Sequence, residues 1–368
     1  MSVMTKTAPR RTKPRVADGV FAFAIGCVAT AVGVGLGLPH LMKVGADLAG
    51  VAGLGCLVAG LLLLGAGGVA LVRFVPGWWR VLAVPALLAI VLVTVMALGQ
   101  AVAATNVPDT SVGSRTPGSH GLEFTEVEFA TADGVSLSGW YIPSANRAAV
   151  ALLHGAGSTR SDVLDQAVVL ARHGYGVLLF DARGHGRSAG RAMDFGWYGD
   201  QDLSAAVTYL QSRPDVEDAR IGALGLSMGG EEAIGAAAAD ARIRAVVGEG
   251  ATNRTTADRA WLSHEYGWRG TAQEGVEWLT YKATTLLTKA EEPIALRAAV
   301  AAIAPRPVLL IAAGAKPDEA YADLYIQAGS PSTVQLWVVP GAAHTAGLRT
   351  DPGQWEQRVT AFFDTALG

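Results

Sequence analysis

A hydrophobic run, Gly222-Ala223-Leu224-Gly225-Leu226, ends at Ser227 and continues as Met228-Gly229-Gly230 into an alanine-rich stretch. Glycines two residues before and two residues after the serine give the pattern G-x-S-x-G. A chain that turns this abruptly from strand to helix leaves no room for side chains beside the turn, so glycine is required there. The turn lifts the serine hydroxyl to a helix N-terminus at the rim of a sheet. A strand, a sharp turn and a helix in that order commit the chain to layers of helix over sheet, with the serine as candidate nucleophile.

The chain has 368 residues, room for more than one domain, and a formal net charge of −3 that gives no footing for a nucleic-acid partner. Its apolar residues are concentrated in the first third. Val20–Leu38, Leu48–Val72 and Val81–Ala104 are each about 20 residues long, enough to cross a bilayer core as a helix. Lysine and arginine are absent inside these stretches, and Trp78 and Trp79 stand where indole rings favour the membrane interface. Lys6, Arg10, Arg11, Lys13 and Arg15 precede the first stretch, Arg73 and Arg80 separate the second from the third, and Lys43 lies between the first and second. The positive-inside rule then puts the N-terminus in the cytoplasm and, after three crossings, the remainder outside the cell membrane. The expected organisation is a basic tail (1–19), a three-helix membrane region (20–104), a linker (105–121) and a soluble domain (122–368). A cleaved signal peptide is the alternative for the first stretch, and Ala101-Val102-Ala103 resembles a cleavage site. Cys27 and Cys56 both fall in the apolar stretches and read as small buried apolar residues.

The 105–121 segment is rich in Pro, Ser, Thr and Gly, and beyond it the pattern becomes that of strands. Leu122–Ala130 and Val135–Ile142 alternate around an Asp133-Gly134 turn. Ala148–Leu153, Gly176–Phe180, Arg220–Leu226, Arg244–Val247, Pro307–Ala312 and Val334–Val339 are short continuous apolar runs, most of them separated by helical stretches. That rhythm predicts a mostly parallel sheet covered on both faces. It breaks between Ala251 and Ala304, where Trp261, Tyr266, Trp268, Trp278 and Tyr281 lie in a helical insertion. Such an insertion is expected above the C-terminal edge of the sheet, as a cap (251–304) over the site, its aromatics mostly packing it in place.

A serine hydroxyl needs a base to take its proton, and a histidine titrates in the right range. His344 follows the last apolar run in Pro340-Gly341-Ala342-Ala343-His344-Thr345. The acid that would orient it belongs after Pro307–Ala312, where Asp318 and Glu319 stand side by side. Asp318 has the usual short distance from the strand, Glu319 the longer arm, and the sequence leaves both open. An oxyanion needs two backbone N–H groups aimed at one point. The one after the nucleophile is that of Met228; Ala156, in His154-Gly155-Ala156-Gly157, is the candidate for the second. His154 reads as a structural hydrogen-bonding residue. No metal or organic cofactor is called for.

With these pieces the sequence resembles the α/β-hydrolase superfamily over about residues 122–363. Asp181-Ala182-Arg183-Gly184-His185-Gly186-Arg187-Ser188 is similar to that superfamily's D-x-R-G-x-G-x-S turn, and Leu336-Trp337-Val338-Val339-Pro340-Gly341 resembles its dipeptidyl-peptidase-like and acyl-thioesterase-like branch. The resemblance implies an eight-stranded, mostly parallel sheet and a Ser227–His344–acid triad. It also implies structural roles for Asp181, Arg183 and His185. A D-x-x-V-P-like acid loop is not present. The function so implied is a membrane-anchored serine hydrolase acting on an ester, thioester or amide of a small or lipid-like acyl substrate. A peptidase of the same fold is the nearest alternative, and a non-catalytic sensor or scaffold the alternative from another class. A transporter would need intramembrane charges that the three stretches lack.

Overall fold

The computed structural model describes residues 16–368. The basic cluster Lys6–Arg15 lies outside the described residues. Three helices, Val16–Lys43, Leu48–Phe74 and Gly77–Thr105, are long and apolar enough to cross a membrane. The first two form an antiparallel pair held at very close range. A Cβ built on Gly53, Gly60 or Gly67 would lie 2.4–2.5 Å from backbone atoms of Gly37, Thr30 or Phe23. Glycine every seventh residue therefore lets two backbones meet, the packing that apolar helices use where no hydrophobic force distinguishes helix from lipid. Leu48, Leu62, Val81 and Leu88 project outward from the bundle, more than half exposed. Cys27 and Cys56 are both free, one buried and one half-buried.

The rest of the chain is built on one sheet of eight strands in the order β1-β2-β4-β3-β5-β6-β7-β8. These are β1 Thr125–Ala130, β2 Ser136–Ile142, β3 Ala149–Leu153, β4 Gly176–Phe180, β5 Ile221–Leu226, β6 Val246–Glu249, β7 Val308–Ala313 and β8 Val334–Val339. β2 runs antiparallel to both β1 and β4, and every other pairing is parallel. The Asp133-Gly134 turn joins β1 to β2, with Gly134 at φ +83° and Thr131 N donating to Val135 O at 2.9 Å. β3, β4, β5 and β7 are buried along their whole length, as continuous apolar runs require. Alternate residues feed two cores: Ala149, Ala151 and Leu153 join one face, Val150 and Leu152 the other.

The 105–121 segment is laid along this domain. Gly186 N donates to Thr110 O at 3.0 Å and Gly113 N to Ser161 Oγ at 2.9 Å. The 251–304 insertion is helical, with Trp268–Leu287 its longest helix, and this helix packs against the third apolar helix. Trp261 and Tyr281 are buried, whereas Tyr266, Trp268 and Trp278 are exposed.

Candidate active site

Ser227 sits between β5 and the helix Met228–Ala239 at φ +55°, ψ −124°, a conformation a residue with a side chain avoids. Holding it there costs about 1–3 kcal/mol, which the surrounding packing must offset. Both motif glycines are enforced by contact. A Cβ on Gly225 would lie 2.1 Å from the Gly229 carbonyl carbon, and one on Gly229 would lie 2.6 Å from Leu153 O and His154 O. The Gly-Leu-Ser-Met-Gly sequence is thus the condition for helix, β3 loop and serine to share one point.

His344, in the loop after β8, reaches this point from the far side of the sheet. Its Nε2 is 2.9 Å from Ser227 Oγ and its Nδ1 is 2.6 Å from Glu319 Oε1. Glu319 also accepts from Ala313 N at 3.0 Å through Oε2, which fixes the carboxylate against the end of β7. Asp318 is not within hydrogen-bond reach of the imidazole. It is exposed, and its Oδ1 accepts from Tyr266 Oη. The reason is helical: both residues lie in the first turn of Pro317–Gln327, and neighbours on a helix point about 100° apart. Glu319 takes the inward direction, toward buried Ala322 and Asp323, and its extra methylene spans the gap to His344.

The surroundings of His344 raise its affinity for a proton. The hydrogen bond that His344 Nδ1 donates to Glu319 raises the His344 pKa above the ordinary imidazole value, burial opposes it, and the charges of Glu319, Glu231 and Glu249 add to the rise. Glu231 and Glu249 were not picked out by sequence reasoning. Glu231 lies one turn past Ser227, accepts from Thr252 N and Asn253 N at 3.0 and 2.9 Å, and is pushed up by burial to about 6. Glu249 ends β6, and its carboxylate takes hydrogen bonds from Gly347 N at 2.7 Å and Trp355 Nε1 at 2.9 Å. The paired glutamates after the elbow, in a helix otherwise rich in alanine, are the feature that could have drawn attention to Glu231.

The loop after β3 lies directly beside Ser227: a Cβ on Gly155 would be 3.2 Å from Ser227 Cβ. Two neutral histidines hold it. His154 Nδ1 donates to Gly155 O at 2.8 Å while its Nε2 accepts from Ala182 N at 3.0 Å. His185 Nε2 accepts from Gly157 N at 3.2 Å and its Nδ1 donates to Arg183 O at 3.1 Å. An imidazole that both donates and accepts is uncharged, and burial pushes each of these two down to about 4. The turn that supplies His185 is itself a knot of charge. Asp181 accepts from Arg160 N and Arg187 N, and Arg183 joins Asp133 to Asp202.

Two hollows meet at this loop, and Ala156 lines both. The larger, about 760 Å³, opens beside Ser227 and His344 and carries polar side chains including Asp162, Gln166, Arg172 and Arg349. The smaller, about 350 Å³, is mostly apolar and includes Met228. The cap expected from the sequence lines neither of them. Its longest helix, Trp268–Leu287, lies against the third apolar helix instead, and the walls come from 158–172, from 344–352 and from the N-terminal helices. Among the described residues no cluster of three or more His, Cys, Asp or Glu is arranged to hold a metal ion.

Residues 144–307 match the Hydrolase_4 family, described as serine aminopeptidase, S33. That stretch contains Ala156, Ser227 and Met228 and stops short of Asp318, Glu319 and His344. A thiohydrolase, aneE, of Aspergillus aculeatus is 38% identical over 128 residues, 34% of this chain and 40% of that protein. A polyketide transferase, grgF, of Penicillium is 33% identical over 135 residues, 34% of this chain and 44% of that protein. The chain therefore spans less than half the length of these curated relatives. Among solved structures, the Pyrococcus furiosus esterase Pf2001 superposes with a TM-score of 0.58 at 27% identity, covering 72% of this chain and 99% of the esterase. Sheet order, elbow geometry and these matches agree, and the chain belongs to the α/β-hydrolase superfamily.

Proposed function

We propose that the protein is a membrane-anchored serine hydrolase that cleaves an ester or thioester through an acyl-enzyme. The observation that carries this reading is the continuous hydrogen-bonded line from Ser227 Oγ through the His344 ring to Glu319. In the mechanism, His344 Nε2 takes the hydroxyl proton as Ser227 Oγ bonds to the acyl carbon. Glu319 holds the ring and stabilises the cation that forms. The N–H groups of Met228 and Ala156 receive the oxyanion. The carbonyl reforms, the bond to the leaving group breaks, and His344 returns its proton to that group. Water then repeats the sequence on the acyl-enzyme and frees the acid.

The three apolar helices support anchorage. Arg73 and Arg80 lie at the end of the bundle opposite Lys43, which itself touches the catalytic loop, so the positive-inside rule favours an extracytoplasmic hydrolase domain. The names of the esterase and thiohydrolase that the chain resembles favour ester or thioester chemistry. The family's description favours a second reading, a peptidase on the same triad. Purified full-length protein in lipid nanodiscs should hydrolyse nitrophenyl esters and acyl thioesters at least about 100-fold faster than aminoacyl nitroanilides, a difference of about 2.7 kcal/mol in barrier. The reverse order would establish the peptidase, and no turnover of any of them would favour a sensor or scaffold.

A further inference from the structure

The smaller hollow has an unusual wall. On one side stand Ala156, Met193 and Met228 of the hydrolase domain; on the other stand Ala103, Ala104 and Val107, where the third apolar helix ends and the chain leaves it. The two sides are fastened together. Lys43 Nζ, on the last residue of the first helix, donates to Gly157 O at 3.1 Å, inside the loop that neighbours Ser227. Arg191 of the hydrolase domain reaches Asn106 Oδ1 at 3.3 Å, and on the helix side His40 Nε2 meets Asn106 O at 3.3 Å, tying the first helix to the end of the third. The membrane segment is thus built into the rim of the catalytic cleft.

We infer that this hollow is the acyl subsite, and that the substrate is an ester or thioester pairing an apolar acyl chain with a polar leaving group. The inference rests on the serine-hydrolase reading above and adds the substrate class to it. The chemistry of the two hollows divides the substrate. Both touch Ala156, beside which the reacting carbonyl must lie, so the two substituents of that carbonyl extend to opposite sides. The larger side sets Asp162, Gln166, Arg172 and Arg349 among apolar residues such as Val168 and Leu348, and is the one of the two that can hydrogen-bond a polar leaving group along its length. The other side is mostly apolar, with alanines, Val107, Phe195 and two methionines; of its polar members, Gln100 and Lys43, the latter is already bonded to Gly157 O, so an aliphatic chain gains there chiefly by its removal from water. Small residues at 103 and 104 keep the hollow open. A chain bound there lies at the end of a helix that spans the bilayer, so an amphiphilic substrate reaches the nucleophile without leaving the membrane surface.

The test is a chain-length series of nitrophenyl esters, acetate to decanoate, on the full chain in nanodiscs. In the unaltered protein kcat/KM should climb about fourfold per methylene over the first several carbons, the equivalent of about 0.8 kcal/mol for each CH₂ buried. Ala104→Trp, which fills the hollow from the helix, and Val107→Trp, which fills it from the chain beyond, should each lower the octanoate-to-acetate ratio of kcat/KM at least about tenfold. An unchanged ratio in both variants overturns the inference, and so does equal loss of acetate and octanoate hydrolysis in both. Failure of the underlying reading looks different: no acetate hydrolysis by the unaltered protein that Ser227→Ala removes.

Discussion

Replacing Ser227 with alanine should lower kcat for nitrophenyl esters by about 10⁶-fold while leaving the protein folded. The size follows from what the hydroxyl does. Without Oγ there is no atom to form the acyl-enzyme, and His344 loses the group 2.9 Å from its Nε2 whose proton it would take. What remains is direct attack by water on a carbonyl still held by backbone N–H groups, worth about 10³-fold over the uncatalysed rate. The backbone at 227 keeps its φ of +55° because the close approach of Gly225 to Gly229 fixes the turn. Melting temperature should therefore stay near that of the unaltered protein, separating lost chemistry from lost structure. Residual activity within tenfold of the original would mean that another group is the nucleophile.

The second large effect divides two adjacent carboxylates. Glu319→Gln should reduce kcat about 10⁴-fold, the scale seen when the orienting acid of a triad becomes an amide. Asp318→Asn should change kcat by no more than about twofold, as an exposed substitution away from the site. The amide at 319 can offer its N–H to His344 Nδ1 and so favour the wrong tautomer for proton abstraction. The pH profiles should diverge as well. His344 must be neutral to act as a base, and Glu319 is the foremost cause of its raised pKa. Activity of the unaltered enzyme should therefore fall as pH drops through a value above the ordinary imidazole pKa of about 6.5. In Glu319→Gln that inflection should move to lower pH. Stability follows the same sign. A group whose pKa is raised by folding contributes stability that is complete below its unfolded value and lost as pH rises through the folded one. Glu319→Gln should therefore lose more melting temperature at pH 5 than at pH 9. A large loss of kcat in Asp318→Asn, with Glu319→Gln nearly intact, would reverse the assignment.

Much of the sheet could be read along the chain because its physics is local. Runs such as Ala149–Leu153 and Val308–Ala313 are apolar without alternation, which only a doubly covered strand tolerates. The strands coincide with the runs along the chain, although the sheet places β4 between β2 and β3, and the elbow is legible because its steric demand falls on glycines two residues either side of Ser227. The choice between Asp318 and Glu319 could not be read, since it depends on which way one helical turn faces the end of β7. Glu231 and Glu249 gather around His344 only once β5, β6 and the β8 loop have been brought together. The insertion at 251–304 was legible as helical but not in its placement. Its longest helix lies against the third apolar helix, and the walls near Ser227 are supplied from elsewhere. That substitution depends on how the membrane segment docks, through contacts such as Lys43 to Gly157 that join residues more than a hundred positions apart.

In this site one hydroxyl, that of Ser227, is proposed to be activated by one imidazole, that of His344. The most direct measurement is to react the full-length protein with a fluorophosphonate and map the adduct by peptide mass spectrometry, with His344→Gln alongside. The expected result is a single phosphonylated peptide carrying the mass on Ser227, formed at least about 10³-fold more slowly when His344 is replaced. An adduct on any other residue, or labelling of Ser227 at an undiminished rate in His344→Gln, would contradict it.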